Sequence, residues 1–266
     1  MQINIDHARW WETPLAAFIF FTRLPFWRLH EPPRHCYKHV VEYWPLTGWL
    51  TGGMMGLVFF LASQHVSMTL AVLLAVGARM LVTGALHEDG LADFFDGFGG
   101  GTSRERILEI MKDSHIGTYG VLGLIVYLAL LVASMTDIPA GLLAFVMLAA
   151  DPFCKMVSGQ IIMFLPYARR EEEAKAKTVY VKYNLVAGLR LAVAGLLPMV
   201  ILGYVMVTQF GYAVSTIEML VMAPCFVFYG LYMLMKNKLH GYTGDCCGAL
   251  FLLTELSFYL TFVLIY

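Results

Sequence analysis

One stretch of the chain gathers most of the groups able to do chemistry. It reads His87-Glu88-Asp89-Gly90-Leu91-Ala92-Asp93-Phe94-Phe95-Asp96-Gly97 and continues through Phe98-Gly99-Gly100-Gly101 to Ile110-Met111-Lys112-Asp113. Asp89, Asp93 and Asp96 are spaced i, i+4, i+7, so on a helix they share one face. Three anions on one face repel one another unless a cation sits among them. Hard oxygen ligands with no cysteine nearby suit Mg²⁺ or Mn²⁺ better than zinc. The pattern predicts a metal-dependent site at a membrane surface, because the segments on either side are strongly apolar and carboxylates in lipid are costly.

Neighbouring signals narrow the chemistry. Gly97, Gly99, Gly100 and Gly101 would let backbone N–H groups approach a phosphate, though such a run serves equally as a flexible turn. No Gly-Lys-Ser/Thr follows it, so it is not a Walker A loop. Leu91 stands where a second histidine would complete H-E-x-x-H, which moves zinc hydrolysis far down the list of reactions. Thr102-x-x-Glu105 reads as a capping box opening a short helix through Asp113. Arg79 lies two turns before His87, within reach of the motif or of an anionic ligand. Asp151 and Lys155 are i, i+4 and can neutralise each other at membrane depth, where Glu255 also lies. Asp245 either completes a metal shell or, the favoured reading, caps a helix with Thr243 and Gly244.

The elements that must hold these groups are membrane helices. The 266 residues are 59% hydrophobic and only 14% charged, with mean hydropathy +0.68, well short of the roughly one-quarter charged residues of a soluble domain. A net charge of −1 with no basic stripe gives nucleic acid no footing. Cys36, Cys154, Cys225, Cys246 and Cys247 show no C-x-x-C spacing, so neither a disulfide framework nor a thiolate zinc site follows. Asp6, Arg9 and Glu12 precede an apolar run that Arg23 and Pro25 interrupt, which is unlike a signal peptide. Residues 13–27 read as a short interfacial helix anchored by Trp10, Trp11 and Trp27.

Seven spans fit the remainder, at about 45–63, 66–87, 119–135, 140–165, 185–207, 218–235 and 248–266. The fold class is therefore all-α and polytopic, a single membrane-embedded domain over 1–266, with 1–44 as an N-terminal segment and 87–120 as the motif loop. Loops alternate in charge. Arg9, Arg23, Arg28, Arg34 and Lys38 precede the first span; Arg104, Arg106 and Lys112 lie in the motif loop. Arg169, Arg170, Lys175, Lys177 and Lys182 follow the fourth span, and Lys236 and Lys238 end the sixth. Loops 64–65, 136–139 and 208–217 carry no Lys or Arg. The positive-inside rule puts the N-terminus and the motif loop in the cytoplasm. Gly52, Gly53 and Gly56 favour close helix contact and leave a homo-oligomer open.

The motifs resemble the cobalamin synthase family, the adenosylcobinamide-GDP ribazoletransferases. The likeness is carried by His87 to Asp93, Asp96-Gly97-Phe98-Gly99-Gly100, Arg106-x4-Met111-Lys112-Asp113-Ser114 and Ile116-Gly117-Thr118-Tyr119-Gly120. Thr22-Arg23-Leu24-Pro25, Tyr43-Trp44-Pro45-Leu46 and Leu165-Pro166-Tyr167-Ala168-Arg169 add to it, and Thr243-Gly244-Asp245 with Gly248 and Glu255 is similar to the family's C-terminal pattern. Glu171-Glu172-Glu173-Ala174-Lys175 stands where relatives carry a Gly-rich segment. The resemblance implies a Mg²⁺-dependent enzyme of a bacterial inner membrane, joining adenosylcobinamide-GDP to α-ribazole or its 5′-phosphate and releasing GMP. On that reading Asp89, Asp93, Asp96 and Asp113 hold metal, and Asp113 or Asp89 takes the hydroxyl proton. Lys112 with Arg104 or Arg106 neutralises the pyrophosphate or the leaving guanylate, and Gly99, Gly100 and Gly101 admit phosphate to the backbone.

Two rival readings are weaker. Asp93-x-x-Asp96-Gly97 matches the opening of the CDP-alcohol phosphotransferase motif, but Gly100-Gly101 replaces its Ala-Arg and no aspartate lies four residues beyond Asp113. A cation or proton transporter would use Asp151, Lys155 and Glu255 at midplane. Against it, the acidic cluster lies at one face, and the sequence shows no inverted repeat.

Overall fold

A computed structural model describes residues 9–169 and 179–265. Arg170, Lys175, Lys177 and the Glu171 to Glu173 run, counted above among the loop charges, lie outside the described residues. The described chain is helical, and its only bridge between extended residues joins Tyr167 to Tyr242. The elements are α1 (Glu12–Phe21), a 3₁₀ segment (Arg34–Tyr43) running into α2 (Trp44–Ala62), α3 (Met68–Thr83), α4 (Leu86–Gly100), α5 (Arg104–Ile110), α6 (Thr118–Thr136), α7 (Ala140–Gly159), α8 (Ile161–Phe164), α9 (Leu185–Phe210), α10 (Val214–Lys238) and α11 (Gly244–Ile265).

Helix ends follow local chemistry. Ser67 and Asn184 cap α3 and α9 by accepting from the amides of Leu70 and Ala187, and Pro45 occupies the first turn of α2, where its missing N–H costs nothing. Pro152, Pro198 and Pro224 sit inside α7, α9 and α10, positions that membrane helices tolerate.

Six helices, one of them Arg34–Ala62 with its 3₁₀ lead-in, are long and apolar enough to cross a bilayer. The segment predicted as one span at 66–87 is α3, which passes for a span only together with α4 and makes a seventh if that bent pair is one. It stops at Thr83, Gly84 (φ 65°) and Ala85 (φ 55°) turn left-handed, and α4 leaves at 91° to α3. The sequence pattern missed this because apolar residues continue to Leu86, whereas the backbone reverses two residues earlier. The capping box is also displaced. Ser103, not Thr102, caps α5 by accepting from the Arg106 amide, and the helix ends at Ile110.

Burial separates core from rim. Within their apolar windows α7 is 67% and α11 61% buried, against 11% for α10, so α7 and α11 form the centre. Leu189, Val193 and Val200 of α9 and Phe226 and Tyr229 of α10 are exposed, a surface suited to lipid rather than water. The stripe of Gly48, Gly52 and Gly56 is spent inside the chain: a Cβ at Gly52 would lie 2.7 Å from the Met147 carbonyl and one at Gly56 2.9 Å from that of Ala144. These glycines let α2 touch α7, so they do not form an oligomer face.

Two ion pairs stitch the centre. Lys155 lies 2.6 Å from Asp151, with Thr51 bonded to both at 2.7 and 2.8 Å. Arg79 of α3 meets Glu255 of α11 at 2.6 Å and Tyr127 of α6 at 3.3 Å. The i, i+4 pair expected for Asp151 and Lys155 is present. Arg79, expected to reach the motif or a ligand, is held by Glu255 and stands 4.0 Å from Glu88.

Candidate active site

The site is built where α4 crosses α11. A Cβ at Gly90 would lie 3.0 Å from the Asp245 Cα, and one at Gly248 would lie 3.1 Å from the His87 carbonyl. Two glycines on opposite helices thus let the backbones touch, which sets Asp89 and Asp245 on one cavity of about 330 Å³. Phe20, Phe21, Val41 and Trp44, from α1, the 3₁₀ segment and α2, make an aromatic and aliphatic wall. The wall from α4, α11 and residues 167–169 brings Asp89, Asp245 and Arg169. Connectivity puts the start of α2, the α3–α4 bend, residues 167–169 and the start of α11 at one end of the bundle, the end that carries the basic loops.

The predicted residues divide between this cavity and other duties. Asp89, Asp93 and Asp96 do lie on α4. Asp89 is exposed and lines the cavity, and Asp93 follows one turn on, half-buried. Asp96 is buried, accepting from the Gly117 amide at 2.7 Å and the Gly120 amide at 2.8 Å. It therefore satisfies two of the orphan donors at the start of α6. The two glycines are needed there, since a Cβ on either would lie 2.5 Å from an Asp96 oxygen.

The glycine run is not an open loop. It is the end of α4, where the Gly101 amide donates to Gly97, and Gly97 and Gly99 give room to Met111 and Tyr119. Lys112 and Asp113 sit on an exposed turn. The His115 amide donates to Asp113 at 3.0 Å and the His115 ring meets it at 2.7 Å, contacts that hold its carboxyl below the usual range. Arg104 donates to the carbonyls of Leu239 and Ala168, so it fixes the segment that presents Arg169. Arg106 pairs with Glu109 at 2.7 Å on the surface.

At the cap expected from Asp245 with Thr243 and Gly244, the Thr243 hydroxyl accepts from the Cys246 amide at 3.3 Å and lies 3.5 Å from the Asp245 carboxylate. Asp245 also lines the cavity. Arg169, Trp44, Tyr167 and Tyr180 were missed as cavity residues. Trp44 and the pair Tyr167 and Arg169 lay within quoted motifs, whereas Tyr180 had no sequence signal. Burial pushes the Tyr167 phenol up to about 12 and raises that of Tyr180 as well, so both stay protonated donors at neutral pH.

Among the described residues no three His, Cys, Asp or Glu side chains are gathered into a metal cage. Mg²⁺ does not require one, since it commonly keeps several waters and is held by one or two carboxylates plus substrate phosphates. Asp89 and Asp245, two hard oxygen donors on one cavity, fit that mode.

A helical chain with six helices long and apolar enough to cross a bilayer among its described residues is a polytopic membrane protein. The chain belongs to the cobalamin-5-phosphate synthase family, whose sequence model matches residues 13–263, and it is accordingly a transferase. It is similar to proteins named adenosylcobinamide-GDP ribazoletransferase from Leptothrix cholodnii (36% identical, covering 92% of each chain), Vibrio cholerae (34%, 92% of this chain and 91% of the relative) and Leptospira interrogans (33%, 94% of each). No solved structure gives a significant match.

Proposed function

We propose that this chain joins the phosphate of adenosylcobinamide-GDP to the ribose hydroxyl of α-ribazole, or of its 5′-phosphate, with GMP as the leaving group. The observation that carries the reading is the meeting of Asp89, Asp245 and Arg169 on one cavity at one end of the bundle. Family membership and the names of the relatives support it. Attack on a pyrophosphate accumulates negative charge, and fixed cations aimed at that charge lower the barrier. Arg169 supplies one such cation and orients the phosphate. Asp89 or Asp245 accepts the proton of the attacking hydroxyl.

Mg²⁺, when bound, would neutralise the pyrophosphate and the charge that develops on it. Asp89 and Asp245, which line the cavity, would hold it, with Asp93 one turn further along α4 as the third carboxylate. Asp96 and Asp113, included on sequence, are engaged by amides of α6 and by His115. Lys112 and Arg106, exposed at the same end, serve the leaving guanylate. The basic loops support a cytoplasmic site, and the bacterial relatives support an inner membrane as its place.

Purified protein in detergent, given adenosylcobinamide-GDP, α-ribazole and Mg²⁺, should release GMP one for one with product, while CDP-alcohols as donors should release no CMP. Absence of GMP release from well-folded protein would overturn the reading. A transporter is disfavoured because the midplane ions it would use are spent on each other, Lys155 on Asp151 and Arg79 on Glu255.

A further inference from the structure

The flank of the bundle carries a groove with the shape of a lipid. α2 and α9 both start at the end that holds the basic loops and lie side by side. Val186, Leu189, Val193 and Leu197 of α9 recur at i, i+3, i+7 and i+11, so they form one stripe. With Leu46 and Trp49 of α2, that stripe lines an open cavity of about 560 Å³. Val186 and Val193 are each 63% exposed, so the stripe presents a free apolar face. Its length, about 17 Å at 1.5 Å per residue, is close to one leaflet of a hydrocarbon core about 30 Å thick. The floor is built in advance. Pro198 has no N–H to give to the Ala194 carbonyl four residues back, and the Trp49 indole donates to that carbonyl instead at 2.8 Å.

The lining turns polar at the end near the basic loops. There Arg190, half exposed, donates to the Tyr43 hydroxyl and, at 3.0 Å, to Glu42. Its guanidinium lies 5.1 Å from the centre of the Tyr43 ring. These bonds leave further N–H groups of the planar fork for another acceptor. The Val181 amide donates to the Lys38 carbonyl at 3.0 Å, which pins the exposed Lys182 beside the 3₁₀ segment that ends in Glu42 and Tyr43. Arg190 and Lys182 together exceed Glu42 by one positive charge.

We propose that this groove binds one anionic phospholipid, its phosphate on Arg190 with Lys182 beside it and one acyl chain along the α9 stripe. Shape and charge both select that occupant. A detergent or a bare acyl chain gives the Arg190 fork no phosphate to hold. A headgroup that balances its phosphate with its own ammonium gains less from the excess positive charge, since basic side chains at a bilayer surface attract anionic headgroups. A soluble anion has no use for the apolar stripe.

The test uses full-length protein stripped of lipid in detergent and titrated separately with dioleoyl phosphatidylglycerol and dioleoyl phosphatidylcholine. Native mass spectrometry counts the bound lipid, and thermal unfolding follows its effect. One phosphatidylglycerol should bind roughly fivefold or more tighter than phosphatidylcholine and raise the unfolding midpoint as its concentration passes Kd. Arg190→Gln should weaken phosphatidylglycerol roughly tenfold, the order expected for losing a charged hydrogen bond, and bring it level with phosphatidylcholine. That change also leaves Glu42 without its arginine, so Val193→Trp is the second variant. Val193 is exposed, and the larger ring there blocks the stripe without touching the core. It should weaken both lipids while the midpoint of the lipid-free protein stays within a few degrees. Equal binding of the two lipids, or phosphatidylglycerol binding that survives both variants, would overturn the proposal. So would a lipid-free dimer that Val193→Trp dissociates, since the stripe would then belong to a second copy.

Discussion

Arg79 and Glu255 are 176 residues apart in sequence, yet Nη1 of Arg79 lies 2.6 Å from both carboxylate oxygens of Glu255. Arg79 is 1% and Glu255 0% exposed. Removing one partner would strand a buried charge, a loss of about 3–5 kcal/mol, whereas replacing both with apolar side chains of similar volume is often neutral. Glu255→Gln and Arg79→Met should each lower the midpoint of thermal unfolding in detergent sharply. The double variant Arg79→Met/Glu255→Met should recover part of the loss, since Glu88, buried and 4.0 Å from Arg79, is left without its cation. Equal instability of single and double variants would mean that the pair contributes beyond charge balance.

Asp96 should behave as a structural carboxylate. Asp96→Ala deprives the Gly117 and Gly120 amides of their acceptor and should cost about 1–2 kcal/mol of stability. Asp96→Asn, which keeps one acceptor oxygen, should lie between the two. Thermal unfolding and a Mg²⁺ titration of activity, run on the same preparations, decide the matter. A variant as stable as the parent, with its Mg²⁺ requirement shifted tenfold or more, would return Asp96 to the metal.

Asp89 and Asp245 should show the opposite profile. Both line the cavity, and Asn keeps the shape of the side chain, so Asp89→Asn and Asp245→Asn should leave the unfolding midpoint within a few degrees while turnover collapses. Loss of a positioned carboxylate that accepts the proton of the attacking hydroxyl is worth on the order of 10²–10⁴ in rate. Asp93→Asn should raise the Mg²⁺ concentration needed for half-maximal rate. Normal turnover of Asp89→Asn across that titration would remove Asp89 from the site.

Arg169 and Lys112 compete for the pyrophosphate. Arg169 lines the cavity and donates a hydrogen bond to the Leu108 carbonyl at 2.9 Å, whereas Lys112 is on an exposed turn. We expect Arg169→Ala to lower kcat about 10²-fold or more and Arg169→Lys to rescue it only in part, since an ammonium does not reproduce the planar fork. Lys112→Ala should cost less than about tenfold. The reverse ranking in steady-state assays would make Lys112 the phosphate ligand.

Orientation is open to cysteine labelling. With the native cysteines replaced, single cysteines at 137–139 and 211–213 should react with an impermeant maleimide added outside intact cells. Cysteines at 102–106 should react only after the membrane is opened. Labelling of 102–106 from outside would place the site away from cytoplasmic nucleotides.

Much of the architecture was legible in the sequence because lipid leaves a chain few choices. Backbone groups with no water to bond must close their hydrogen bonds within helices, so apolar length and loop charge marked where those helices run. The helical face shared by Asp89, Asp93 and Asp96 and the pairing of Asp151 with Lys155 were legible for the same reason, since both depend only on spacing within one helix. What spacing within a helix does not encode is which helix lies across from it. Asp96 turned toward α6 because unpaired amides at Gly117 and Gly120 lay there, and Asp245 came to line the same cavity as Asp89 because Gly90 and Gly248 let α4 and α11 touch. The sharp bend at Gly84 and Ala85, set by two left-handed residues, decided that α4 would cross α11 rather than continue α3. Each of these depends on distances between residues far apart in the chain. Composition and periodicity therefore fixed the helices and the class of chemistry, while packing between helices selected which carboxylates and which cation face the cavity.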